Sequence, residues 1–144
     1  MCSAKSIEQY WKKFSAPLLD RVDLRTYVEN DSEVAVEDRG DLTSTTQIRE
    51  GIATAVKIQR SRQGIKNAKL VPQDIANFCK LDSESQKLLD DAINRYGFSP
   101  RAISSCLKVA RTIADISSSP TILPPHLEES ITYRKLCSDL VPEI

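Results

Sequence analysis

The sequence predicts a mainly α-helical protein: a helical bundle preceded by a short helix and one strand. Three observations carry this expectation. Apolar residues recur at helical spacing through most of residues 44–137, and serine, proline and glycine stand where helix ends need them. Only residues 23–28 alternate polar and apolar in the manner of a strand.

The first expected helix covers residues 6–14, where Ser6 is a good N-cap and Ile7, Tyr10, Trp11 and Phe14 fall on one stripe. It stops at Ser15-Ala16-Pro17, because proline cannot continue a helix but fits the first turn of the next. Residues 18–22 are therefore expected as a short helix, and residues 23–28 as a half-buried strand. The segment 29–43, ENDSEVAVEDRGDLT, is acidic and turn-rich and is expected as a flexible loop.

Ser44 and Gln47 make a capping-box pattern, after which Ile48, Ile52, Ala55, Val56 and Gln59 recur at helical spacing as far as Gly64. This should be the longest helix. Residues 72–79 form a short helix using Ile75, Ala76 and Phe78. Ser83 is expected to cap another that runs to Tyr96, with Leu88, Leu89, Ala92 and Ile93 inward and Gly97 as a left-handed C-cap. Ser99 and Pro100 open the next helix in the favoured order, and Ile103, Leu107, Ala110, Ile113 and Ala114 give it an apolar face. The last helix runs from Pro124 or Pro125 to about Cys137. No internal repeat is visible. Residues 44–144 thus read as a self-contained bundle of about five helices. Residues 1–28 read as the tail of something larger and are expected to be less well ordered than the bundle, since a strand cannot stand alone.

With 20 basic and 20 acidic residues the net charge is zero, so composition supplies no bulk attraction for nucleic acid or an anionic membrane. Any such binding has to be local. Cys2, Cys79, Cys106 and Cys137 lack C-x-x-C spacing and His126 is the single histidine, so no metal site is expected from this chain. No apolar run approaches the ~20 residues that span a bilayer. A cytoplasmic protein with reduced, buried thiols and no membrane contact is expected.

Arg21 stands inside an otherwise apolar turn, SAPLLDRVDL, between Asp20 and Asp23. Either it is a structural residue clamped by one of those carboxylates, or it is aimed at something outside the fold. The two aspartates are expected to cap, orient or solvate rather than to act as acid and base. Arg101 falls in the first turn of a helix, where free backbone N–H groups favour anions; a solvated arginine is the bland alternative. Arg111 lies ten residues further on, nearly three turns, and is expected as a structural ion-pair partner. His126, after two prolines at a helix start, is expected as a surface or capping residue. Lys57, Arg60, Arg62, Lys66 and Lys69 gather on and just after the longest helix; they would suit nucleic acid, although such runs are usually solvated faces.

The run SAPLLDRVDL, the helix opening STTQIREGIATA, the stretch NAKL, the block GFSPRAISSCLKVARTIAD and the closing HLEESITYR together resemble the carboxy-terminal part of the Mg-chelatase-like AAA+ ATPases. These are the competence-type branch-migration helicases of bacteria, related to the Mg-chelatase ATPase subunit and more distantly to replicative MCM helicases. The resemblance spans the chain except residues 29–43. It implies that residues 1–28 are the carboxy-terminal edge of an AAA+ core with an arginine-finger segment, and that residues 44–144 are the helical lid. Arg21 then resembles the finger that reaches a neighbouring subunit's nucleotide, where a guanidinium stabilises charge spreading over the γ-phosphoryl oxygens. Arg101 resembles the sensor-2 arginine, which meets ATP phosphate. Ala16 stands where the family pattern has glycine. Family members carry a cysteine-rich segment just upstream of CSAKSIEQYW, so Cys2 resembles part of a motif whose other ligands are absent, and Met1 reads as a truncated start.

The chain has no G-x-x-x-x-G-K-[ST] loop, because Gly40, Gly51, Gly64 and Gly97 are widely separated, and no apolar strand ends in acidic residues to hold magnesium. No ATP hydrolysis is expected from the chain alone. ATP and Mg belong with a missing amino-terminal half. The expected partners are that half, neighbouring subunits of a homo-oligomeric ring, and DNA through the full-length motor. The alternative is a free-standing helical module that binds nucleic acid or protein without ATPase activity.

Overall fold

The computed structural model describes residues 16–26 and 44–135. The helix expected over residues 6–14, the loop over 29–43, Tyr27, Val28, Cys2 and Cys137 lie outside the described residues. Those described form α1 (Ala16–Leu19), α2 (Thr45–Gln63), a 3₁₀ turn (Asn67–Lys69), α3 (Pro72–Phe78), α4 (Ser83–Tyr96), α5 (Pro100–Ile116) and α6 (Pro124–Lys135). The fold is mainly helical, a bundle of five helices after the single turn of α1.

Most helix ends lie where the residue types place them. The Ser44 hydroxyl accepts from the Gln47 N–H at 3.2 Å while the Gln47 side chain accepts from the Ser44 N–H at 2.8 Å, a complete capping box. Gly64 and Gly97 end α2 and α4 in left-handed geometry, at φ 77° and 62°, where a Cβ is penalised. Ser99 caps α5 through the Ala102 N–H, with Pro100 at the first helical position. His126 does cap: its Nδ1 accepts from the Leu123 N–H at 3.0 Å. One cap differs. Asp82, not Ser83, caps α4, because its carboxylate accepts from the Ser85 N–H at 2.7 Å; that bond also holds the Asp82 carboxyl below the usual carboxylate range.

α5 is the hub. It packs against α6 along its length and also meets α2, the 3₁₀ turn and α3, while α4 rests on α6. Close approach is allowed by a stripe of small residues on α5, Ala102, Cys106, Ala110 and Ala114, all buried and four residues apart. Leu70, Ile75, Leu89, Ile122, Leu127 and Ile131 close over that stripe. Cys79 and Cys106 are buried free thiols; burial raises both, Cys79 to about 11, which makes them poor nucleophiles. Among the described residues no helix is long and apolar enough to cross a membrane.

Two expectations are corrected: the short helix expected over residues 18–22 is instead α1 (Ala16–Leu19), and the expected strand does not pair among the described residues. Ile48 and Ile52 do not face the core: they are 51% and 54% exposed, and α2 joins the bundle through its later turns, where Ala55 and Gln59 are buried. The described part of the expected strand, residues 23–26, pairs with no strand. Its backbone is satisfied by a helix end instead: the Arg25 N–H donates to the Tyr133 carbonyl at 3.2 Å and the Arg25 guanidinium to the Arg134 carbonyl at 3.0 Å. Carbonyls in a final helical turn have no intrahelical partner and take such donors.

The polar centre of the bundle is Asp115, fully buried near the end of α5. Arg62 of α2 grips it with both terminal nitrogens, at 2.6 and 3.0 Å, and Arg111 binds it from one turn back at 2.9 and 3.1 Å. Asn67 donates to the same carboxylate at 2.8 Å and accepts from Arg62 and Gln63, while its own N–H reaches Gln59. Arg111 also donates to the Ser119 and Pro120 carbonyls, tying down the turn before α6. Burial alone would raise the Asp115 carboxyl, but the hydrogen bonds from Arg62 and Asn67 and the charges of Arg111 and Arg62 outweigh it and hold it below the usual range. The expectation that Arg111 is an ion-pair residue thus holds.

Removing a carboxylate shared by two guanidiniums leaves unpaired buried charge, so Asp115→Ala should cost about 3–5 kcal/mol. Urea unfolding checks it, and Arg62→Ala should cost less because Arg62 is partly exposed. A carboxyl whose pKa is depressed in the folded state contributes stability that is fully present above its unfolded value of ~3.9 and is lost as pH falls through the folded one. Unfolding measured from pH 6 to pH 2 should show that loss, and Asp115→Asn should shrink it.

Candidate functional site

The segment carrying Arg21 is fixed to the bundle by the residues on either side of it. The Asp20 carboxylate accepts from Arg134 at 2.8 Å and from the Ser99 hydroxyl at 3.0 Å; the same hydroxyl oxygen caps α5. Asp23 accepts from the Ser105 hydroxyl at 2.5 Å and lies 3.8 Å from Arg134. Arg134 is buried and also donates to the Asp20 and Val22 carbonyls at 2.7 and 2.8 Å. Asp20 and Asp23 therefore orient the segment, one of the roles expected for them, and neither pairs with Arg21. With both aspartates bonded to the bundle, the Arg21 side chain is exposed and makes no hydrogen bond or ion pair among the described residues. In the sequence Arg134 is only the last residue of HLEESITYR, and no local pattern marks its role.

Arg101 occupies the second position of α5, exposed and equally without a side-chain partner among the described residues. It lines a cleft of about 330 Å³ together with Asp23, Ser104, Ser105, Lys108 and Thr112. Arg21 does not line this cleft, so the two arginines are presented to different surroundings. The sequence carries a signal for the cleft: Arg101, Ser105, Lys108 and Thr112 follow each other at four, three and four residues, which is one face of a helix.

The basic group on and after α2 does not act as a unit. Arg62 is committed to Asp115, whereas Lys57, Arg60, Lys66 and Lys69 are exposed.

The clamp gives a direct test. Arg134→Met should release residues 16–26 while the bundle stays folded, at a cost of about 1–3 kcal/mol for lost buried hydrogen bonds. Hydrogen exchange should show the Arg25 amide losing protection while the amides of α5 keep theirs.

Residues 42–134 match the family described as magnesium chelatase, subunit ChlI C-terminal, and residues 1–36 match that described as magnesium chelatase, subunit ChlI. The chain is 37% identical over 135 residues to the competence protein ComM of Haemophilus influenzae, covering 93% of this chain and 26% of that protein. It is 34% identical over 142 residues to the uncharacterized protein YifB of Escherichia coli, covering 94% and 27%, and 30% identical over 139 residues to an uncharacterized protein of Mycobacterium tuberculosis, again covering 94% and 27%. The chain thus spans about a quarter of the length of the curated relatives it matches. A five-helix bundle that carries this match through α6, led in by the SAPLLDRVDL segment clamped to it, belongs to the magnesium chelatase subunit ChlI C-terminal family.

Proposed function

We propose that this chain is the lid and the trans-acting edge of an AAA+ ATPase. Arg21 reaches ATP held by a neighbouring subunit, as an arginine finger. Arg101 meets the phosphates of ATP bound with Mg by the amino-terminal half of the same full-length subunit, as a sensor-2 residue. The working unit is a homo-oligomeric ring in the cytoplasm, and DNA is its partner through the whole motor.

The observation that carries this proposal is the exposed Arg21, without a side-chain partner among the described residues, between two aspartates that both bond to the bundle instead of to it. A structural arginine in that turn would have used the carboxylates beside it. Leaving it free while fixing its flanks places a guanidinium outside the fold with little freedom of its segment, which is what stabilising transition-state charge in another subunit requires. Arg101, at the start of a long helix and open to a cleft, has the surroundings of a phosphate ligand. Of the basic residues that favoured a free-standing nucleic-acid module, Arg62 is already committed to the core, which weakens that alternative.

In the full-length protein, Arg21→Ala should leave ATP affinity nearly unchanged and lower hydrolysis by roughly 10³–10⁵. Arg101→Ala should weaken ATP binding as well. Equilibrium binding of a fluorescent ATP analogue, paired with steady-state phosphate release, separates the two. Normal turnover by the Arg21 variant would remove the finger role.

A further inference from the structure

The cleft on α5 holds a second cation besides Arg101. Lys108 stands seven residues later, about 10.5 Å along the helix axis and on the same side. Its ammonium has one long contact, 3.4 Å to the Ala68 carbonyl, and no acidic partner among the described residues, so most of its donor capacity is unused. The acid that lines the cleft, Asp23, accepts from Ser105 and has Arg134 at 3.8 Å as its counter-charge, so the net charge of the cleft lining with Arg101 and Lys108 stays positive. The Ser104 and Thr112 hydroxyls donate back to the Pro100 and Lys108 carbonyls of their own helix, which leaves an anion in the cleft to the two cations. At about 330 Å³ the space lies at the small end of ligand sites, enough for a phosphate chain with the rest of the ligand outside.

We infer that Lys108 is a second phosphate-binding residue of this cleft, and that the cleft accepts an extended polyphosphate bridging Arg101 and Lys108, such as that of a nucleoside triphosphate. The inference rests on the phosphate role proposed for Arg101 and adds a residue to that site. Lysine acts here as a mobile point charge, whereas Arg101 offers a planar fork, so the pair can hold two phosphoryl groups of one chain. Orthophosphate, which cannot span both, binds more weakly.

The probe is inorganic triphosphate, titrated at low salt into the 144-residue chain while backbone amide shifts are followed. Amides of residues 101–108 should move. Lys108→Gln should weaken the affinity about fivefold, Lys108→Arg should recover most of it, and the melting temperature should stay unchanged in both. If Arg101→Ala weakens binding while Lys108→Gln does not, Lys108 has no such role and the Arg101 site stands without it. If triphosphate moves no amide of α5, the cleft does not take polyphosphate and the role of Lys108 fails, while the role of Arg101 is decided separately by ATP binding in the full-length protein.

Discussion

Asp115 has to be ionised, buried and shared, and the bundle is arranged around that requirement. Its carboxylate draws Arg62 in from α2, holds Arg111 on α5 and fixes the Asn67 turn between α2 and α3. The α5 side of the apolar core is a stripe of small residues, alanine and cysteine, and apolar contact is not directional enough to fix where α2 lies or how the turn before α6 runs. The ion cluster supplies that directional information. Two guanidiniums on one carboxylate give a favourable arrangement only while all three remain, which makes the cluster costly to alter one residue at a time.

The same helix that anchors the cluster presents the candidate site. Asn67 donates to Thr112 at 3.1 Å, so the floor of the Arg101 cleft is continuous with the Asp115 network. At its other end α5 begins at Ser99, whose hydroxyl oxygen caps the helix and donates to Asp20. α5 therefore connects three things: the buried cluster, the cleft, and the clamp that holds the Arg21 segment. Arg134 completes the clamp from α6. In the proposed motor, this would give a phosphate-sensing arginine and a trans-acting one a common frame.

Helix ends were legible because each depends on one residue type in a fixed place: Ser44 with Gln47, Gly64, Gly97, and Ser99 before Pro100. Asp82 and Ser83 are comparable caps by residue type, and only backbone geometry selects Asp82. The apolar spacing of Ile48 and Ile52 is a helical signal, but periodicity states which side of a helix is apolar and not whether a neighbour covers it. Residues 23–26 alternate like a strand, yet strand pairing needs a second edge, and here the end of α6 supplies the hydrogen-bond partners instead. The ion cluster was half visible. Arg111 and Asp115 are one turn apart in the sequence, whereas Arg62 and Asn67 arrive from 53 and 48 residues away, a distance no local pattern spans. The clamp on Asp20 and Asp23 has the same character, since Arg134 is more than a hundred residues away in the chain.

Arg21 and Arg101 are both exposed and both lack side-chain partners among the described residues, but only Arg21 is proposed to work across a subunit boundary, and that division is the centre of the account. The most direct measurement mixes two inactive full-length subunits, one with Arg21→Ala and one with the phosphate-loop lysine of its amino-terminal half replaced, and follows ATP hydrolysis across mixing ratios. A trans-acting Arg21 predicts partial recovery, because an intact finger and an intact lysine then meet at some interfaces. No recovery at any ratio, with mixed assembly verified, would show that Arg21 and the lysine must lie on one chain and would contradict the account.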